Sequence, residues 1–188
     1  MNETLNTILK RRSCRIFKED KIDKSILKEI IKAGTYAPSA MNQQPWHFTV
    51  ISNKELLDKI SFDTKEIAKN HPLEYIRGYA TNEKFHIFYN APSIILISHM
   101  ENAYEPKVDC AAATENILLA ATSFGIGSCW VEFVSYLFKK ETEISKKYVE
   151  KLEIPSGYKP IHAIALGYSK LDNIPVPKHK ENTVNFID

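Results

Sequence analysis

The chain has 188 residues, long enough for one sizeable core and short of the length at which a second is favoured. Its 44% hydrophobic and 26% charged residues exclude disordered and collagen-like classes, and no apolar run approaches the roughly 20 residues that span a bilayer. With 25 Lys and Arg against 23 Asp and Glu, the net charge of +2 is too small for the general phosphate attraction of a nucleic-acid binder, so any anion site must be local.

In chain order, Asn2 can cap a short helix whose Leu5, Ile8 and Leu9 follow helical spacing and which delivers Arg11 and Arg12 at its C-terminal end. A second helix opens at Asp23, with Ile22 and Leu27 as a hydrophobic staple, Ile26, Leu27, Ile30 and Ile31 on one face, and Gly34 as its expected stop. The turn-rich stretch 37–42 leads to Trp46–Ile51, rich in aromatic and β-branched residues and read as the first strand. Ser52 or Asn53 opens a short helix through Leu56, Leu57 and Ile60, and 61–90 reads as irregular helical segments interrupted by Pro72 and Gly78. Ile94–Ile97 is apolar on both alternating faces, as in a strand covered on both sides. The Ala-rich run Val108–Phe124, free of Gly and Pro, predicts a long helix whose small residues admit a close neighbour. Gly125 and Gly127 end it before a strand at Cys129–Val131, a charged amphipathic helix around Ile144, Tyr148 and Leu152, and a last core strand from Ile161 to Leu166. Beyond Gly167 the chain reads as an extended arm that cannot build its own core. The order of elements gives an α+β or mixed α/β fold, a sheet covered by helices.

Cys14, Cys110 and Cys129 are odd in number and lack Cys-x-x-Cys spacing, which fits a reduced, cytoplasmic protein. Met1 is followed by polar residues rather than an export signal. No Ser-His-Asp order, metal-type histidine pair or acid–base carboxylate motif is legible, so no catalytic side chain and no metal ligand is assigned. His47 and His162 lie in expected strands and read as structural, and Trp46 and Trp130 read as core residues. The informative segment is Arg11-Arg12-Ser13-Cys14-Arg15, three guanidinium groups and a hydroxyl directly after a helix. Arg supplies a permanently charged planar fork and Ser a short hydrogen bond, which is what a phosphate requires. A solvated basic helix end is the alternative, and charge alone does not choose between them.

Read together, Arg11 to Phe17, Ala-Pro-Ser-Ala-Met-Asn-Gln-Gln-Pro-Trp at 37–46, Gly-Ile-Gly-Ser-Cys-Trp at 125–130 and Ala-Leu-Gly-Tyr at 165–168 resemble the FMN-dependent nitroreductase family in order and separation, over nearly the whole chain. The resemblance implies a single nitroreductase-like FMN-binding domain, with a mixed sheet covered by helices. It also implies an intertwined homodimer in which FMN lies at the subunit interface and an arm at about 171–188 wraps the partner. On the same basis, Arg11 and Ser13 match positions that hold the FMN phosphate and ribityl chain, and Arg12 helps shape that pocket. Arg15 matches the cation at the pyrimidine edge of the flavin. Pro38, Ser39, Asn42 and Gln44 match the loop contributed by the other subunit, and Gly127 and Ser128 a turn close to the ring. Lys178 and Lys180 match basic residues that complete the phosphate clamp. The family usually has an Arg at one of them, so Lys178, His179 and Lys180 remain alternatives for that contact. Asn82 and Lys84 are candidate substitutes for flavin contacts that larger members draw from extra middle helices.

The implied activity is ping-pong reduction of nitroaromatics, quinones or related small electrophiles. NADH or NADPH is the transient donor, and no Gly-x-Gly-x-x-Gly fingerprint is needed. The alternatives are a flavin-binding or storage protein with little turnover, and a relative with a different flavin reaction such as dehalogenation, desaturation or flavin cleavage.

Overall fold

The computed structural model describes residues 2–187. The sheet is built around β2 (Ser93–Met100), in which every residue but Met100 is buried. Its run Ile94–Ile97 alternates between two covered faces, so each side chain finds an apolar partner. β2 pairs with β1 (Trp46–Ile51) on one side and β4 (Tyr158–Gly167) on the other, and β3 (Gly127–Val131) adds to β4, giving the order β1-β2-β4-β3. All three pairings are antiparallel. The parallel element of the fold is an isolated bridge between Ser13 and Ser128.

Helices cover both faces, as an α+β fold requires. On one face α2 (Lys24–Thr35) and α5 (Pro106–Ser123) set Ile30, Ala113 and Ile117 against Ile95, Ile97 and Leu166. On the other, α3 (Lys54–Ala68), the one-turn α6 (Ser135–Phe138) and α7 (Glu143–Lys151) bring Leu57, Ile60, Leu137 and Tyr148 against Ile94, Leu96 and Ala165. The expected caps are in place: Asn2, Asp23 and Asn53 accept the Leu5, Ser25 and Leu56 amides. Pro106 sits in the first turn of α5, where its missing N–H costs nothing. Gly125, at φ +70, turns the chain out of that helix, with the Ile126 N–H donating to Ala121 O at 2.8 Å.

Several expectations need correction. Gly34 does not stop α2; it lies inside the last turn, where a Cβ would stand 2.8 Å from the Ile117 side chain. Its role is close packing of α2 on α5. α3 is not short but runs to Ala68, because its polar residues are satisfied internally. The Thr64 hydroxyl donates to Ile60 O, Ser61 Oγ accepts the Ile87 N–H, and Tyr148 OH donates to Asp63. Gly78 does not interrupt α4 (Glu74–Thr81); the break falls near Pro72, whose carbonyl accepts from Arg77. Trp46 is buried as expected, whereas Trp130 is 36% exposed on the outer strand, its ring 4.3 Å from that of His162.

Apolar side chains lack cover in several places, three of which lie near the chain ends or on α5. α1 (Glu3–Lys10) buries no residue and leaves Leu5, Ile8 and Leu9 about half exposed. Val108 of α5 is exposed, and so are Val176, Val184, Phe186 and Ile187 of the C-terminal segment, which carries no helix or strand between 171 and 187.

His162 is held in the core by a 2.7 Å contact between its Nε2 and the Thr114 hydroxyl. Because that hydroxyl donates to Cys110 O, Nε2 is the donor in this contact. Burial lowers its pKa from 6.5 to about 3. The unfolded chain therefore binds a proton that the folded one refuses, and stability falls as pH drops from about 6.5 towards 3, by ~1.4 kcal/mol per pH unit within that window. His162→Gln, which keeps a donor for Thr114, is expected to flatten that slope in urea denaturation between pH 6 and 4. An unchanged slope would assign the acid lability to other groups.

Candidate functional site

The segment after α1 leaves the helix extended: Arg11 caps it with its own N–H on Thr7 O and continues at φ −55, ψ 130. Ser13 then bridges Ser128, and the Cys14 N–H donates to Ser128 O at 2.8 Å. Around that bridge the side chains part: Arg11 and Arg15 find partners on other elements, whereas Cys14 and Arg12 turn back towards the chain's own core and helix end. Cys14 is buried, while Arg12 folds back onto the end of α1, where its Nη1 donates to Leu9 O and Arg11 O at 2.7 Å. With Cys14 and Gly127, Arg12 lines a depression of about 400 Å³ on that side. It is thus separated from the other two arginines.

Arg11 Nε stands 3.5 Å from Glu115 on α5, a partly exposed pair. The Arg15 guanidinium lies 5.8 Å from the centre of the Tyr89 ring, and its interaction with Tyr89 raises its pKa. Both arginines act electrostatically on the Cys129 thiol of β3 and favour its thiolate, but burial outweighs them and raises the thiol's pKa. Ser128 is buried with no hydrogen-bond partner for its hydroxyl. A recess of about 210 Å³ adjoins the far end of β3, walled by Tyr79, Phe85, Tyr89 and Phe133, with Trp130 and Glu132 at the strand. Two permanent cations, a hydroxyl and an unpaired buried hydroxyl along an outer strand, ending in an aromatic recess, suit an elongated ligand with an anionic end and a planar ring.

The glycine at 127 has a reason within the chain. A Cβ there would meet Cys14 Cβ and Sγ at 2.9 Å and the Gly167 carbonyl at 3.1 Å. The residue is small because the segment carrying Arg11 to Arg15 packs directly against β3.

The second expected cluster lies elsewhere. Ala40–Asn42 forms a 3-10 turn, with Met41, Asn42 and Gln44 at φ 52, 53 and 47. Gln44 Nε2 donates to Asn42 Oδ1 at 2.9 Å, and both amides are exposed together with Pro38; Ser39, half-buried, accepts the Gln44 N–H. This loop enters β1 at Trp46, level with His99, whereas Ser128 is level with Leu166 at the other end of β4. The points where the loop and the arginine segment join the sheet are therefore at opposite edges and opposite ends of it, roughly 14 Å apart across the strands and roughly 20 Å along β2. One protomer does not bring them together.

Lys178, His179 and Lys180 are exposed and make no ion pair with any described residue. Asn82 accepts the Lys84 amide on its side-chain oxygen, and its carbonyl accepts from Lys65. The aromatic recess was not read from the sequence, because Tyr79, Phe85, Tyr89 and Phe133 share no periodicity and meet only in three dimensions. Among the described residues no group of three or more His, Cys, Asp or Glu could hold a metal, and no helix is long and apolar enough to cross a membrane.

Residues 8–168 match the family model described as the nitroreductase family. The chain belongs to the nitroreductase family. A nitroreductase from Bacteroides fragilis, crystallised with bound FMN, superposes with a TM-score of 0.90 at 32% identity over 100% of both chains. A protein of Archaeoglobus fulgidus, provisionally named NADH dehydrogenase/NAD(P)H nitroreductase, is 34% identical over 180 residues, covering 90% of this chain and 87% of its own. An iodotyrosine deiodinase of Thermotoga neapolitana is 28% identical over 184 residues, 93% of this chain and 91% of its own. The α+β architecture is thus that of the nitroreductase family throughout.

In this family member Gly127→Ala is expected to lower stability by about 1–3 kcal/mol, the cost of overpacking a site closed by backbone. Chemical denaturation measures it, and a loss below about 0.5 kcal/mol would mean that the Cys14 contact relaxes freely.

Proposed function

We propose that the protein is an FMN-dependent oxidoreductase, working as a homodimer, that takes electrons from NADH or NADPH and passes them to a small electrophile such as a nitroaromatic or a quinone. The observation that carries this reading is the row Arg11, Ser13 and Arg15 beside the unpartnered Ser128 hydroxyl and the aromatic recess. Those groups fit FMN by donor chemistry: cation and hydroxyl for a phosphate, hydroxyls for a ribityl chain, and a second cation for the polar edge of the ring. When bound, FMN would supply reversible hydride uptake and delivery.

The chain's own residues bind and tune. Arg11 has to leave Glu115, but an exposed pair of that kind is worth only ~0–1 kcal/mol, less than the ~1.5–3 kcal/mol of a hydrogen bond to a charged group. Ser13 donates beside it, Arg12 fixes the end of α1 from which the row departs, and Lys178 or Lys180 adds charge at the phosphate. Arg15 holds positive charge where negative charge collects on reduction, which favours taking up hydride. Ser128 and the backbone at Gly127 lie against the ring, and the aromatic walls suit planar acceptors.

Pro38, Ser39, Asn42 and Gln44 reach the site from a second copy. Their separate places on the sheet within one chain support this, as do the uncovered apolar face of α1, the exposed Val108 of α5 and the exposed apolar side chains of the C-terminal segment. On this reading the chain is one domain, and residues 171–188 lie along the partner subunit; residue 188 is outside the described residues. The three buried free thiols fit a reducing, cytoplasmic setting. The similarity to an iodotyrosine deiodinase favours one second reading, reductive dehalogenation at the same site.

Titration with FMN followed by gel filtration tests the proposal: a yellow dimer is expected, and a colourless protein contradicts it. Arg11→Ala is expected to weaken FMN binding by about ten- to a hundredfold, the weight of one charged hydrogen bond. Unchanged retention would remove Arg11 from the clamp. NAD(P)H oxidation with a nitroaromatic, a quinone or a halogenated phenol as acceptor separates the two reactions.

A further inference from the structure

The turn Ala40–Asn42 begins after Ser39, whose backbone is extended and whose side chain does not cap it. The Ser39 hydroxyl instead accepts the Gln44 N–H at 3.0 Å. The first amide of the turn, that of Ala40, is capped from 69 residues away: it lies 3.2 Å from each carboxylate oxygen of Asp109. Asp109 sits in the first turn of α5, 6% exposed, and makes no ion pair among the described residues. A buried carboxylate with no cation among the described residues is costly, so the Ala40 amide that donates to it is informative. The loop it holds needs holding, since Met41, Asn42 and Gln44 all adopt left-handed backbone that L-residues keep only when their surroundings over-determine it. Gln43 supplies a second tether, its Oε1 accepting the Tyr104 N–H at 2.9 Å just before α5.

We propose that Asp109 is a positioning residue: its carboxylate clamps the Ala40 amide and so holds the strained Pro38–Gln44 loop in the shape that presents Asn42 and Gln44 to a ligand. The ligand's identity rests on the flavin reading above, but the clamp itself does not.

The test combines hydrogen exchange over residues 38–45 in flavin-free protein with the FMN dissociation constant of wild type, Asp109→Asn, Asp109→Ala and Ala40→Pro. Asn keeps an acceptor oxygen for the Ala40 amide, so Asp109→Asn is expected to preserve the loop's protection and bind FMN within about threefold of wild type. Asp109→Ala is expected to raise exchange in the loop and weaken FMN binding about tenfold or more. Ala40→Pro deletes the donor without touching α5, and Ser39 already has the extended backbone that precedes proline. It should reproduce the loss, and the double variant should add nothing further, as expected for two ends of one contact.

A role limited to negative charge near the start of α5 would lower the melting temperature of Asp109→Asn and Asp109→Ala alike while leaving loop exchange unmoved, and that outcome overturns the proposal. Unchanged exchange and FMN affinity in Asp109→Ala overturn it as well. If Asp109→Ala does not fold, Ala40→Pro decides: raised loop exchange supports the clamp and unchanged exchange refutes it. A wild-type protein that takes up no FMN defeats the functional reading, and the flavin-free exchange comparison still decides the clamp.

Discussion

The hydrogen bond from the Cys14 amide to the Ser128 carbonyl, with Cys14 seated against Gly127, is the contact on which the candidate site depends. It fastens the segment leaving α1 to the outermost strand of the sheet and fixes its extended register. Once that register is set, the basic residues are sorted: Arg11 meets Glu115, Arg15 meets Tyr89, and Arg12 turns back to the helix end. A shift of one residue would exchange the two sets and bury cations where Cys14 now sits, so the packing at Gly127 indirectly selects which arginines meet a ligand. The ligand-facing chemistry is exposed, but the constraint that orders it is buried.

The sheet separates two groups of polar side chains that the nitroreductase pattern treats as one site. Its rigidity is what keeps them apart: β2 is covered on both faces and paired on both edges, so neither corner can swing towards the other. An apolar helix face with no buried residue, an exposed valine on the central helix and an arm with four exposed apolar side chains are the surfaces that the proposed second copy would cover. α5 ties these features together, since it carries Glu115 beside Arg11, the Thr114 partner of His162, and Asp109 beneath the distant loop.

The sequence was most legible where local chemistry decides. The four strands, the caps at Asn2, Asp23 and Asn53, and the long α5 follow from alternation, capping geometry and helix propensity. It was least legible where packing overrides a local signal. Gly34 and Gly78 look like punctuation, yet one admits Ile117 and the other simply stays helical. The polar face of α3 looks irregular because its hydrogen bonds go to Ile87 and Tyr148, far along the chain. Trp130 looks like core because strand residues of that size are commonly buried, and its place on the outer strand is a matter of sheet order that no short segment reveals. In the candidate site, the arginine row was readable as an anion signal, but the exclusion of Arg12 from it and the aromatic recess were not. The side on which Arg12 falls follows from the bridge of Ser13 to Ser128, the recess needs Phe133 beside Phe85, and the clamp needs Asp109 beside Ala40, all contacts between distant parts of the chain.

The claim that the site is shared between two copies is tested most directly by mixed dimers. One chain would carry Arg15→Glu and the other a deleted Asn42–Gln44 amide pair, made as Asn42→Ala with Gln44→Ala, each expected to abolish FMN retention as a homodimer. If the arginine row of one chain faces the loop of the other, the mixed dimer concentrates both defects in one site and leaves the other intact, so it should hold one flavin per two chains. A mixed dimer that holds none would place both groups on the same chain's flavin and contradict the account.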